Sequence, residues 1–454
     1  MPHSSIVHDL RSAHSADALL TGVPLPTLLY FALPIILGNI FQQLYSIVDA
    51  IVVGNFLGDL PLSGISVASP IVDVANALVI GGTIGVGVLC AHYCGAGEGE
   101  RLRCMNATAL LGGGALTLLI ALCGIFFSTP LLRAQGTEEA VCREAAVYLQ
   151  LVFAGLLFCF LYNYYAAMLR SCGNSRTPFL ILLLSSTLHA LLDVLFVGVF
   201  GWGIRGVAFS TVLCQALAAA ACILYAQRRC PPLLLRPANL RFDRQMARLV
   251  LSYAWAAALQ QAVVCIGRLL VQGMLTPLGT STVTGYNMSL RTEQFLFCFS
   301  QGISAAMVVC LSQNLGHGDR PRARRFFRIS VLVELALIAL LGTVCFLFPA
   351  RIVGLFSDNA DVIAAGAQYT GAMAYLYVFA YLGEVIQGFF RGLGRLRLTM
   401  VASLLQVLLR VVLSYLLIPV WGMYGICAAV VSGWVLLAGI EGAYAVRKSR
   451  ALAA

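Results

Sequence analysis

Residues 26–52 read PTLLYFALPIILGNIFQQLYSIVDAIV. The stretch holds no lysine or arginine, and its single carboxylate, Asp49, lies near its end. A bilayer core about 30 Å thick needs about 20 apolar residues per helix, so this stretch is long enough to cross a membrane. Eleven further stretches of the same kind follow, at 62–90, 105–127, 141–168, 179–200, 205–226, 247–272, 281–311, 327–348, 367–390, 398–419 and 423–446. Composition agrees with them. The 454 residues are 60% hydrophobic and 11% charged, against about 45–50% and about 25% in a soluble domain. That balance excludes most soluble enzymes, nucleic-acid binders and disordered chains. Runs such as Leu180–Leu184 and Ala216–Leu224 are apolar all round, whereas strands of a membrane barrel would alternate. The expected fold is an all-α polytopic membrane protein with twelve transmembrane helices.

Residues 1–25 are polar, with His3, His8, His14, Asp9 and Asp17, and carry no apolar core of a signal peptide. They are expected to be a flexible tail. Basic residues set the topology. With the N-terminus placed in the cytoplasm, 22 of the 29 Lys+Arg fall on the inner side and 4 on the outer side. The other three, Arg268, Arg291 and Arg410, lie within spans. Both termini are therefore expected in the cytoplasm, with the chain in the cytoplasmic (inner or plasma) membrane. The net charge of +10 then faces anionic lipid rather than nucleic acid. The fifteen cysteines are scattered without a disulfide framework. Cys90, His92 and Cys94 come nearest to a metal pattern, but no second ligand pair stands at a plausible sequence distance, so no zinc site is expected.

The chain repeats itself. Gly95-x-Gly97-Glu98 recurs as Gly316-x-Gly318-Asp319, and Arg170-x-x-Gly173 as Arg391-x-x-Gly394, both at an offset of 221. Pro130 with Pro349, and Trp202-Gly203 with Trp421-Gly422, are 219 apart. Four pairs in order at nearly one offset indicate two homologous halves. Six helices per half is an even number, so the repeats are parallel, related by an axis along the membrane normal, as in many transporters. The expected division is a tail at 1–25, an N-lobe at 26–226, a cytoplasmic linker at 227–246, a C-lobe at 247–446 and a tail at 447–454.

An ionisable group at a helix centre costs about 2.5–3.5 kcal/mol on insertion scales, so each needs a reason. The first half places Asp49, Asp73 and Asp193 in spans, with only His189 as a partner. The second half places Arg268, Arg291 and Arg410 beside Glu293, Glu334 and Glu384. Those six can cancel by pairing, for instance Glu293 with Arg268. Unpaired carboxylates in one half are what a cation or proton site requires. His189 and Asp193 are four apart and share a helix face; Asn163, Thr211 and Tyr148 can add oxygens or hydrogen bonds. Simple hydrogen bonding of the acids within the bundle is the alternative. Desolvation disfavours a charged carboxylate, and a second carboxylate favours sharing of one proton. Tyr30, Tyr45, Tyr162, Tyr164 and Tyr165, with Gln42, Gln43 and Met168, offer an aromatic and polarizable lining suited to organic cations. Pro34 removes a backbone bond within the first helix and favours a kink.

Leu33-Pro34-Ile35 and Gln42-Gln43-Leu44-Tyr45-Ser46-Ile47-Val48-Asp49 resemble the first helix of the multidrug and toxic compound extrusion (MATE) family. The likeness continues at Gln313-Asn314-Leu315-Gly316-x-Gly318-Asp319 and at Arg391-Gly392-Leu393-Gly394. It implies a secondary antiporter that exports organic cations and drugs in exchange for H⁺ or Na⁺, by alternating access of two lobes. No cofactor is expected beyond the coupling ion, and the expected functional form is a monomer. By the same resemblance, Asp49 and Asp193 match the family's acids in helices 1 and 5. Asn163, Thr211 and Tyr148 match its supporting polar positions, and Pro34 matches the proline at which the first helix bends. His189 departs from the family pattern, which has Asn there, and leans the coupling toward protons. The seventh helix carries Arg268 and no acid, which resembles the DinF-like branch. Gln42, Tyr45 and Met168 are the expected substrate contacts. The rival readings are a flippase or exporter of a lipid-linked or other amphipathic metabolite, and a membrane enzyme or channel. An enzyme is not expected, because no catalytic cluster stands at a headgroup interface.

Overall fold

The computed structural model describes residues 14–234, 242–275 and 279–451. Among them there is no strand. The helices are α1 (His14–Thr21), α2 (Pro24–Leu57), α3 (Asp59–Ala96), α4 (Gly99–Ala134), α5 (Glu139–Ala154), α6 (Leu156–Ser171), α7 (Arg176–Asp193) and α8 (Gly203–Arg229). They continue as α9 (Arg244–Gly273), α10 (Thr280–His317), α11 (Arg320–Leu347), α12 (Pro349–Val353), α13 (Ala360–Met373), α14 (Tyr377–Gly392), α15 (Leu396–Trp421) and α16 (Met423–Ala451). Ten helices are long and apolar enough to cross a membrane singly, and twelve spans result when each of two bent pairs counts as one. The bent pairs are α5 with α6, at 45°, and α13 with α14, at 58°. They begin at Glu139 and Ala360 and end at Ser171 and Gly392, so the bend recurs at the 221-residue offset read from the motifs. The first bend falls at Gly155, where an added Cβ would collide with the Val212 side chain. The protein is a multi-pass membrane protein.

The repeated Gly motifs are helix ends. Gly97 and Gly318 adopt φ of 70° and 90°, and Gly173 and Gly394 adopt 90° and 73°. This left-handed geometry closes a helix and suits glycine, which has no Cβ to clash. Gly95 and Gly316 do something else. A Cβ on Gly95 would run into the Gln313 backbone, and one on Gly316 into the His92 carbonyl. The two repeat-related glycines thus each accommodate the helix that carries the other.

The chain divides into two compact units. One comprises Met1–Gly22, Leu33–Ala262 and Gln313–Gly318; the other comprises Val23–Ala32, Val263–Ser312 and Asp319–Ala454. The boundaries differ from those expected at 226 and 247, because most of α9 belongs to the first unit. Gly81 and Gly85 of α3 let the backbone of Tyr253–Ala258 approach so closely that a Cβ at Gly81 would lie 2.6 Å from the Ala257 carbonyl oxygen. The linker expected at 227–246 begins with a 3₁₀ turn, Pro231–Leu233, whose Leu233 carbonyl accepts a 3.2 Å hydrogen bond from Asn106. Residues 235–241 lie outside the described residues.

Of the tail expected at 1–25, residues 1–13 lie outside the described residues. Residues 14–21 are helical, Leu19 is buried, and its carbonyl accepts from Asn314 Nδ2 at 3.1 Å. The first long helix starts at Pro24, consistent with the favoured place of proline in a first turn. Helix α2 runs through Pro34 without interruption.

Candidate ion-coupling site

Helix α7 ends at Asp193, and a π-helical turn, Val194–Val199, follows at once. Such turns widen the backbone spiral and recur at functional sites. The Phe200 N–H reaches back to the Leu195 carbonyl at 2.9 Å. Aromatic packing holds this corner. The rings of Phe196 and Trp202 stack 4.9 Å apart, and Phe209 of α8 lies 5.6 Å from Phe196. The corner returns the chain so that Ser210 and Thr211 of α8 face the last turn of α7.

His189 and Asp193 are buried, at 3% and 0% exposure. Ser210 Oγ donates a short hydrogen bond to Asp193 Oδ1. His189 Nδ1 lies 2.9 Å from Asp193 Oδ2. That contact has ion-pair distance without hydrogen-bond alignment, and Oδ2 takes no hydrogen bond from any described residue. The other side of the ring meets Thr211 Oγ1, 2.9 Å from Nε2. The Tyr45 hydroxyl of α2 lies 2.6 Å from Nδ1 and 3.0 Å from Nε2, with the two rings edge to face. Ser210 and Thr211 are both also within 2.9 Å of the Val207 carbonyl, which can take either hydroxyl proton.

Counting protons shows what this arrangement can do. A carboxylate only accepts, and a protonated carboxyl also donates. With Asp193 ionised, Ser210 donates to Oδ1. With a proton on Oδ2, that oxygen becomes a donor, and a ring nitrogen lies 2.9 Å from it. The imidazole can serve on either nitrogen, since its tautomer is set by its partners. One added proton therefore gives a donor to an atom that takes no hydrogen bond from any described residue.

The structure brings together Tyr45, His189, Asp193 and Thr211 of the expected site. Tyr148 is half-buried and packs against a small core of Val53, Val197 and Val207, beside the cluster. The side chain of Asp49 lies outside the described residues; its backbone is part of α2. Asn163 is half-buried, and its Nδ2 donates to the Cys159 carbonyl of its own helix at 2.9 Å. Met168 is fully buried in the hydrophobic core, as are Tyr164 and Tyr165 at 1% exposure. These three pack the first unit rather than line a binding surface. Gln42 is exposed on α2, one turn before Tyr45. Pro34 is buried. Sequence reasoning missed Ser210, although its neighbour Thr211 was read. The signal was a Ser-Thr pair in an otherwise apolar span.

The expected pairing of Glu293 with Arg268 is not found within 4.0 Å among the described residues. Glu293 faces the hydroxyls of Tyr377 and Tyr369, at 3.4 and 3.5 Å, and not an arginine. Glu384 pairs with Arg391 at 2.5 Å. Among the described residues, Arg268, Arg291 and Arg410 make no ion pair within 4.0 Å. Arg410 Nη2 lies 3.5 Å from the Tyr286 hydroxyl. Two tyrosine hydroxyls, rather than an arginine, stand within hydrogen-bond reach of Glu293.

Residues 34–195 and 256–416 each match the MatE family. The chain belongs to the MatE family. MatE proteins are transport proteins, and the two matched stretches begin 222 residues apart, in line with the sequence repeat. Among curated relatives, the "Probable multidrug resistance protein YpnP" of Bacillus subtilis (strain 168) is 27% identical over 387 residues, 85% of this chain and 86% of its own. A "FAD transporter" of Shewanella oneidensis is 26% identical over 346 residues, 74% of this chain and 75% of its own. Among solved structures, a MOP superfamily transporter from Pyrococcus furiosus superposes with a TM-score of 0.87 at 19% identity, covering 96% of this chain and 98% of that one. At that identity the likeness speaks for the fold, which is the two-lobed, all-helical fold of MatE transporters.

Proposed function

We propose that this MatE protein is a secondary antiporter that exports amphipathic organic cations, drugs included, in exchange for protons. It works as a monomer in the cytoplasmic membrane with both termini inside, by alternating access of its two lobes. The observation that carries the choice of ion is the buried Oδ2 of Asp193, which takes no hydrogen bond from any described residue and lies 2.9 Å from His189 Nδ1. A sodium ion prefers a cage of oxygens, and here an imidazole stands where the family has an amide. A proton needs one lone pair and one neighbour, and both are present. Asp193 accepts the proton, Ser210 and His189 hold its oxygens, and Thr211 and Tyr45 hold the ring. Tyr45 joins this cluster to α2, the helix that carries Asp49, Pro34 and the exposed Gln42, so proton uptake is transmitted to the helix that meets substrate. Exchange of one proton for one monovalent cation is electroneutral and insensitive to membrane potential; a second proton adds about 2.3 kcal/mol per 100 mV.

The test uses purified protein in liposomes. Efflux of a cationic dye is followed under a pH gradient and then under a Na⁺ gradient, beside Asp193→Asn. Movement under the pH gradient alone, lost in the variant, supports the reading. Movement under Na⁺ alone overturns it.

One observation favours a second reading, export of an amphipathic metabolite bearing an acidic group. Arg410 sits 14 residues from one end of α15 and 11 from the other, about 17 Å or more from either end. Arg410 Nη2 reaches the Tyr286 hydroxyl at 3.5 Å and makes no ion pair within 4.0 Å among the described residues. An uncompensated arginine at mid-membrane calls for an anionic partner. The relative named as an FAD transporter is consistent with such cargo. Competition of dye efflux by an anionic flavin nucleotide, abolished in Arg410→Gln, separates the two readings.

A further inference from the structure

Cys90 and Cys94 lie one turn apart on the last part of α3, and the fold brings Cys172, at the end of α6, against them. The three sulfurs all lie within 4.8 Å of one another, and Cys94 Sγ is 3.2 Å from Cys172 Sγ. His92, the ligand that sequence spacing suggested, is exposed on another side of α3. The third sulfur is held in place. Ser171 Oγ donates to the Gly87 carbonyl at 2.7 Å, which pins the end of α6 one turn below Cys90. The Ser171 carbonyl accepts from Gln313 at 2.6 Å, and Gly173, at φ 90°, turns the chain away directly after Cys172. Cys90 is wholly buried, while the Cys94 and Cys172 residues are partly exposed. None of these residues belongs to the Asp193 cluster.

We propose that Cys90, Cys94 and Cys172 form a three-sulfur site that captures trivalent arsenic. Thiol sulfur is a soft donor and selects soft, thiophilic centres. Charge decides among them. Three thiolates around Cu⁺ carry two negative charges, and around Zn²⁺ one, with a fourth position left open. Around trivalent arsenic the charge is zero. The cluster is embedded in a core with Leu89, Tyr165, Met168 and Leu169, where residual charge is costly. Arsenous acid, As(OH)₃, condenses with three thiols. Three As–S bonds form, three As–O and three S–H bonds break, and three water molecules leave carrying the thiol protons. Arsenic remains trivalent, so no oxidant or reductant takes part. The product staples α3 to the end of α6.

The experiment uses the full chain in detergent, reduced and free of oxygen, with sodium arsenite as the probe. Binding is read by arsenic content, by the number of thiols still open to a thiol reagent, and by intact mass. The expected result is saturable uptake of one arsenic per chain, loss of three reactive thiols, a mass gain of one arsenic less three hydrogens, and a raised melting temperature. Cys172→Ser and, separately, Cys94→Ala lose the one-equivalent binding and the rise in melting temperature. Cys123→Ser, at an exposed cysteine of α4, keeps both. No saturable uptake by the wild type, or full uptake by both site variants while folded, overturns the proposal. Protection of the same three thiols by Cu⁺ or Zn²⁺ that displaces arsenite at equal concentration overturns the choice of occupant.

Discussion

Replacing Asp193 with Asn separates a working carboxylate from a structural one, because the two roles predict opposite changes in stability. Asp193 is wholly buried, with Ser210 on Oδ1 and, among the described residues, no hydrogen bond on Oδ2. The amide keeps an acceptor for Ser210. A hydrogen bond to a charged group is worth about 1.5–3 kcal/mol and a neutral one about 0.5–1.5, so the loss there is about 1–1.5 kcal/mol. Against it stands the desolvation of a buried ion, an effective penalty of several kcal/mol that the amide does not incur. The second effect exceeds the first. Asp193→Asn is therefore expected to melt at the wild-type temperature or above it, while proton-driven dye efflux in liposomes falls to the rate of empty vesicles. Thermal unfolding in detergent and efflux from one preparation give both readings. A permanently charged His189 would reverse the stability result. Removing its counter-ion would then cost about 3–5 kcal/mol, and efflux would fall only in step with the folded fraction. That outcome, or proton-driven efflux retained in the variant, refutes the reasoning.

Tyr45→Phe removes the hydroxyl that faces both ring nitrogens of His189 and leaves the ring; about 0.5–1.5 kcal/mol of linkage between α2 and α7 is lost. Efflux should slow severalfold, with little change in the amount of folded protein on a sizing column. Gly95→Ala and Gly316→Ala each drive a methyl into a backbone and should destabilise by about 1–3 kcal/mol, seen as a lower melting temperature. Gly54→Ala, at a helical glycine with open space around it, should not. Met168→Ala should cost about 2–5 kcal/mol of stability and leave the ranking of transported dyes unchanged, measured by competition, because Met168 is core and not a substrate contact.

Much of this protein was legible in the chain because the membrane imposes long-range order on local composition. Twelve apolar stretches appear as ten single long helices and two bent pairs. Four motif pairs at offsets of 221 and 219 fixed the duplication, and the left-handed glycines that end the repeated helices follow from the same motifs. The i, i+4 spacing of His189 and Asp193 placed them on one face, since helical periodicity is local. Neighbours across helices were not legible. Sequence could not show that Asn163 bonds to its own helix, that Met168 faces the core, or that two tyrosine hydroxyls rather than an arginine stand within hydrogen-bond reach of Glu293, because rotation of a uniformly apolar helix leaves little periodic trace. The boundary between the units shifted into α9 because Gly81 and Gly85 admit a neighbouring backbone, a contact between residues more than 150 positions apart. Cys172 joined Cys90 and Cys94 in the same way. Spacing along the chain determined which residues share a helix face; only close packing of separate helices decided which faces meet.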